Sequence, residues 1–208
     1  MPADFDPIVL HAGLDRVALR SGGALPQDAG QVLLALARSA IAAELGMTHA
    51  VREDFPWLRQ QGASFITIMQ GERLRGCIGT LRPHRALADD VKANAVAAAF
   101  RDPRFEPLTA EELVAVALEI SVLSALEPMA FLDEGDVLRQ LRVGVDGIVF
   151  EYGHHTSTFL PQVWENLREP AEFLAHLKYK AGLPPDFWDR EVKLSRYTVA
   201  KWREADLG

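Results

Sequence analysis

Cysteine is nearly missing: Cys77 is the only one in 208 residues. That excludes an internal disulfide framework and an iron–sulfur cysteine set, and it suits a reducing compartment. Also lacking is any apolar run near the ~20 residues that cross a bilayer. No phosphate-binding glycine loop, dinucleotide fingerprint or serine elbow occurs, so the chain itself is neither a radical enzyme nor a recognisable nucleotide hydrolase. Positive charge is in deficit, with 22 Lys and Arg against 29 Asp and Glu and a net charge of −7. This argues against nucleic acid and anionic membrane as partners, although Arg73, Arg75, Arg82 and Arg85 make a small basic cluster. Residues 1–6 have neither the basic region nor the apolar core of a secretory signal, and the expected location is cytoplasmic. Repeats and low-complexity segments are absent too.

What is present centres on Leu74-Arg75-Gly76-Cys77-Ile78-Gly79-Thr80. Upstream, the β-branched and aromatic run Phe65-Ile66-Thr67-Ile68-Met69 predicts a strand, and Gly71 and Glu72 supply a turn, so the two runs predict a β-hairpin. Alternation then puts Leu74, Gly76, Ile78 and Thr80 on one face, and Arg75, Cys77, Gly79 and Leu81 on the other. Guanidinium and thiol would stand side by side, ~7 Å apart at Cα, with Gly79 leaving room for a ligand to reach the backbone. Two readings of the thiol stay open. It is a small buried hydrophobe beside glycines that mark a bulge or tight packing. Or it is a partly exposed group whose pKa a neighbouring cation lowers below the free value of about 8.5.

Hydrophobic residues make up 49% of the chain, enough for one domain that needs no staples. The patterning predicts an α+β fold: a mainly antiparallel sheet built from hairpins, flanked by about five helices, with a smaller second lobe. A helix over 26–45 carries the stripe Val32, Leu33, Leu36, Ala37, Ala40 and Ile41 and ends at Gly46. A second over 86–100 turns Leu87, Val91, Ala95 and Ala98 inward and stops at Asp102-Pro103. Thr109-Ala110-Glu111-Glu112 has the capping-box pattern, with Leu108 and Leu113 as its staple.

A strand over 117–124 places Leu118, Ile120 and Val122 on one face and Glu119, Ser121 and Leu123 on the other. Glu119 is either a solvated or arginine-paired acid, or a group that orients Arg75 and Cys77 from across the sheet. Asp146-Gly147 predicts a hairpin between 143–145 and 148–152, and Gly153-His154-His155 a second turn into 156–160. Adjacent His154 and His155 would point to opposite faces of a strand with no other ligand nearby, so no metal site is expected. Helices over 162–167 and 170–181 and a final strand over 193–202 complete the reading.

The central stretch resembles the signature of the AMMECR-type domain family, known in bacteria as AmmeMemoRadiSam system protein A. Asp102-Pro103-Arg104-Phe105-Glu106-Pro107-Leu108, Leu118-Glu119-Ile120-Ser121-Val122-Leu123-Ser124, Thr158-Phe159-Leu160-Pro161-Gln162-Val163-Trp164-Glu165 and Lys180-Ala181-Gly182-Leu183 agree in order and spacing. The resemblance spans residues 27–205 and leaves 1–26 as an N-terminal arm, read as a short amphipathic helix. It implies partnership with a radical S-adenosylmethionine protein and a Memo-type protein, and it names no reaction or cofactor.

Two functions fit these residues. In the first, the chain is a component whose groove around Leu74, Arg75, Gly76, Cys77, Ile78 and Gly79, with His84 and His154, binds a small molecule or a partner's segment. Bare amides beside Arg75 would favour a carboxylate. In the second, Cys77 is a nucleophile or covalent carrier, Arg75 stabilises the thiolate, and Glu119, His84 or His154 moves protons. Spacing fixes no general base, so the sequence leaves open whether the chain is an enzyme.

Overall fold

The computed structural model describes residues 25–48 and 50–206, so all but Leu25 and Pro26 of the expected arm lies outside the described residues. Within them the fold is α+β, with five α-helices and two antiparallel sheets. The first helix, α1 (Ala29–Glu44), buries Leu33, Leu36, Ala37 and Ile41 of the anticipated stripe. Gly46 follows its end at φ +76°, a left-handed conformation that costs glycine no Cβ clash.

A 3-10 turn at Pro56–Arg59 leads into the expected hairpin, β1 (Gln61–Gln70) and β2 (Arg73–Gly79). The short β3 (Arg85–Ala86) pairs with the start of β1 and runs into α2 (Leu87–Phe100). Next come α3 (Ala110–Ala115), opened by the Thr109–Glu112 capping box, and β4 (Ala117–Leu123). The second lobe contains β5 (Glu127–Pro128), α4 (Glu134–Gln140), β6 (Gly147–Tyr152), β7 (His155–Phe159), a 3-10 turn at Pro161–Glu165, α5 (Pro170–Lys180) and β8 (Lys193–Tyr197). Finally β9 (Val199–Arg203) returns to the first lobe. The first sheet runs β2-β1-β4-β9 with β3 beside β1, and the second runs β5-β8-β6-β7.

Two expectations are corrected. The single strand over 193–202 is two strands in different sheets: Tyr197 pairs with Gly147 in the second, Val199 with Leu123 in the first. At the crossing, Ser124 N–H donates to the Thr198 carbonyl and Thr198 N–H donates to Ser124 Oγ, which ties the two lobes together. The hairpin about Asp146-Gly147 does not form. Residues 143–145 are a turn, closed by the buried Asp146 carboxylate, which accepts the Arg142 N–H at 2.9 Å and the Arg142 guanidinium. Gly147 begins β6 under the Tyr197 ring, where a Cβ would approach within 2.4 Å.

One face of the first sheet packs on the helices. Ile66, Ile68, Leu118, Ile120 and Val122 share a cluster with α1 and with Val91, Ala95 and Ala98 of α2, whose small side chains let the helix approach closely. α2 also buries an acid. The Asp90 carboxylate is fully buried and accepts from Ser64 N–H, Ser64 Oγ, Asn94 Nδ2 and Arg85 Nε, so its charge is matched. On the sheet's other face, Ala63, Phe65 and Leu123 meet Val149 and Tyr197 of the second lobe. That contact covers one end of the face.

Candidate functional site

Pairing of β1 with β2 slips by one residue between Ile68 and Met69: Ile68 lies opposite Gly76 and Met69 opposite Leu74. Arg75 is the extra residue of a β-bulge, and the alternation breaks there. Beyond it the expected faces hold. Gly76 and Ile78 look toward the helices, while Cys77 and Gly79 look toward the Phe65 side.

Arg75 leaves the thiol. Its Nε and Nη2 donate to the two oxygens of Glu112 on α3, each at 3.0 Å, and its guanidinium lies 5.9 Å from the Phe105 ring centre. Its Nη1 is buried and has no hydrogen-bond partner among the described residues. The expected Arg75–Cys77 pairing gives way to Arg75–Glu112, and the guanidinium bonded to Cys77, at its backbone carbonyl, is that of Arg104.

The glycines are not bare either. A Cβ on Gly76 would meet the Ala98 carbonyl of α2 at 2.2 Å, and one on Gly79 would meet the Phe65 ring at 2.2 Å. Helix and ring fill the space that was expected to admit a ligand. Both glycines serve close packing.

At Cys77 the outer edge of β2 is met by side chains. Asp102 accepts the Cys77 N–H at 2.9 Å, and Arg104 Nη2 donates to the Cys77 carbonyl at 3.2 Å and to Asp102 at 2.8 Å. Burial would push the Asp102 carboxyl up, but the hydrogen bonds from Arg104 and from two backbone N–H groups hold it below the usual carboxylate range. Glu112 is also held low, first by the Arg75 hydrogen bonds and then by the Thr109 N–H. Burial pushes the Cys77 thiol up, and neither the Thr67 hydroxyl, which donates to Sγ at 3.5 Å, nor the Arg104 charge reverses it. The thiol is half-buried.

Glu119 does share the Cys77 face. Thr67 lies opposite Cys77 on one side and Glu119 on the other, and Glu119 lies opposite Arg203, so the four make a row across β2, β1, β4 and β9. The Glu119 side chain is 16% exposed and is bound by Lys201 at 2.5 Å and Arg203 at 3.0 Å. It is the cation-paired acid of the first reading, and its arginine is Arg203. Beside Lys201 a cleft of about 370 Å³ opens between the lobes, lined by Val143, Pro161, Trp164, Glu165, Arg168 and Val199 among others.

The remaining candidates lie apart. Leu74 is exposed before the bulge. His84 is exposed, with Nδ1 3.3 Å from the Arg82 carbonyl. His154 sits in the β6–β7 turn of the other sheet with its ring tilted against that of His155, centroids 4.2 Å apart. Among the described residues no His, Cys, Asp and Glu group is arranged to hold a metal ion.

Sequence reasoning gave no role to Thr67, Asp102, Arg104, Lys201 or Arg203. A signal existed for the last two: they alternate in the final strand and so share a face.

Comparison with known proteins agrees with this architecture. A model of the AMMECR1 family matches residues 34–202. A protein of Methanothermobacter thermautotrophicus is 38% identical over 185 residues, covering 86% of this chain and 96% of its own. One from Methanocaldococcus jannaschii is 34% identical over 187 residues, covering 88% and 93%. The crystal structure of an uncharacterized protein from Pyrococcus horikoshii superposes with a TM-score of 0.71 at 34% identity, covering 84% of this chain and 91% of that one.

Proposed function

This chain belongs to the AMMECR1 family, and on that premise we propose that it is a binding component and not a thiol enzyme. The face bearing Cys77, Thr67, Glu119, Lys201 and Arg203 takes a small molecule or a partner's segment. The partners are the radical S-adenosylmethionine enzyme and the Memo-type protein that the family resemblance implies, in the cytoplasm.

The observation that carries this reading is the state of Cys77. A nucleophilic cysteine needs thiolate and a base within reach. Here burial raises the thiol, and the nearest acids are committed: Asp102 to Arg104 and a backbone N–H, Glu119 to Lys201 and Arg203. What the face offers instead is polar atoms held in place on rigid strands, suited to recognition. No helix among the described residues is long and apolar enough to cross a membrane.

Native mass spectrometry of the full chain mixed with those two proteins tests this. Wild type and Cys77→Ser should retain the same complex or bound molecule, and Glu119→Gln should lose it. A covalent adduct on Cys77, with turnover that vanishes in Cys77→Ser, would overturn the reading in favour of a covalent carrier. So would the absence of any complex or bound molecule.

A further inference from the structure

The two edges of the first sheet are treated differently. At β2, Asp102 and Arg104 occupy the backbone groups of Cys77. At the other end, β9 has no backbone partner on its outer side among the described residues. An open edge is a template for another strand, because its N–H and C=O groups already point outward in register.

Charge and shape beside β9 indicate what would pair there. Lys201 and Arg203 share the single acid Glu119. Arg168 is exposed at the cleft rim without an ion pair among the described residues, and Glu165 is the acid beside it. Three cations against two acids make a local positive excess in a chain of net charge −7. The same strand contributes Val199 to the cleft, next to Pro161 and Trp164. An apolar socket and two cations therefore follow one another at alternate positions along a strand edge that has no backbone partner among the described residues.

A second copy of this chain fits poorly. Antiparallel pairing of the whole of β9 with its own two-fold mate centres on Lys201 and sets it against its copy, and like charges directly across a ladder repel.

We propose that β9 accepts an extended segment of a partner protein as a further strand, with acidic side chains facing Lys201 and Arg203 and an apolar side chain facing Val199 and the cleft. This rests on the binding reading above and specifies the class of partner segment. Main-chain hydrogen bonds would hold the segment, and the alternate side chains would select it.

The probe is a fluorescein-labelled peptide, Thr-Thr-Glu-Thr-Glu-Thr-Leu-Thr-Thr, which antiparallel pairing sets with Glu against Arg203 and Lys201 and Leu against Val199, titrated into the full chain by anisotropy. Saturable binding is expected, at least about tenfold weaker when both glutamates are lysine. Two N-methylated forms, one at the Leu and Glu amides and one at the intervening Thr amides, distinguish strand addition from mere charge attraction. One of them should lose binding, since only one set of amides faces β9. The exposed double change Lys201→Gln, Arg203→Gln should weaken binding about tenfold.

Hydrogen exchange on the unchanged protein gives a second readout, with amides in 199–203 gaining protection when the peptide binds. The proposal is overturned if no binding occurs, if glutamate and lysine peptides bind alike, or if both N-methylated forms bind like the parent. A dimer that dissociates in the Lys201→Gln, Arg203→Gln variant would give the edge to a second copy and also overturn it. Loss of the peptide with the bound molecule or complex retained would remove this inference alone.

Discussion

The backbone N–H of Cys77 donates to the Asp102 carboxylate at 2.9 Å, across 25 residues of chain. This bond joins two of the stretches on which the family resemblance rests. One supplies an edge strand, and the other supplies the acid that meets it. A paired edge does not recruit stray strands.

Asp102→Asn keeps the shape but removes a charged acceptor shared by the Cys77 N–H and Arg104. A loss of about 1.5–3 kcal/mol in urea unfolding at pH 7 is expected.

Acid should act through the same groups. Asp102 and Glu112 are both held below the usual range in the folded chain, while in the unfolded chain they titrate near ~4. Between those values the unfolded chain binds more protons. Their contribution is therefore complete above the unfolded pKa and is lost as pH falls through the folded values. The urea midpoint should stay flat from about pH 7 to 5 and drop below that. The drop should be smaller in Asp102→Asn, Glu112→Gln.

Glycine substitutions in the central motif should act on stability rather than on a ligand. Gly76→Ala drives a Cβ into a backbone carbonyl of α2, which only a helix shift relieves, and Gly79→Ala strikes a packed ring. Losses of about 1–3 kcal/mol are expected, the larger at Gly76. Gly46→Ala meets nothing within 4 Å and is strained only by its φ of +76°, so it should lose about 1 kcal/mol. Chemical denaturation of the three variants gives the order.

Asp90→Ala leaves Ser64 and Asn94 without their shared buried acceptor and Arg85 without its partner. A loss of about 3–5 kcal/mol in thermal or urea unfolding is expected.

Periodicity carried much of the fold. The stripe of α1, the small inward face of α2 and the Thr109–Glu112 box each follow from local sequence and stand where predicted. Two features were not local. The bulge at Arg75 depends on which β1 residue each β2 residue faces, and strict alternation from Leu74 has no means of showing a slipped register. The break at Thr198 depends on two sheets competing for one run, so 193–202 looks continuous in sequence.

The site follows the same division. Strand parity put Glu119 on one face with Ser121 and Leu123, and pairing through Thr67 brought it into line with Cys77. Its partners Lys201 and Arg203 come from about 80 residues downstream, a pairing that only the sheet order provides.

Binding without thiol chemistry requires an unactivated Cys77, and the pH dependence of its alkylation reports that state. Iodoacetamide labelling of the folded full chain, read by mass spectrometry from pH 5 to 10, should be slow, with a midpoint above the ordinary cysteine value of about 8.5. A midpoint well below that, with fast labelling at neutral pH, would contradict the account and return Cys77 to nucleophilic chemistry.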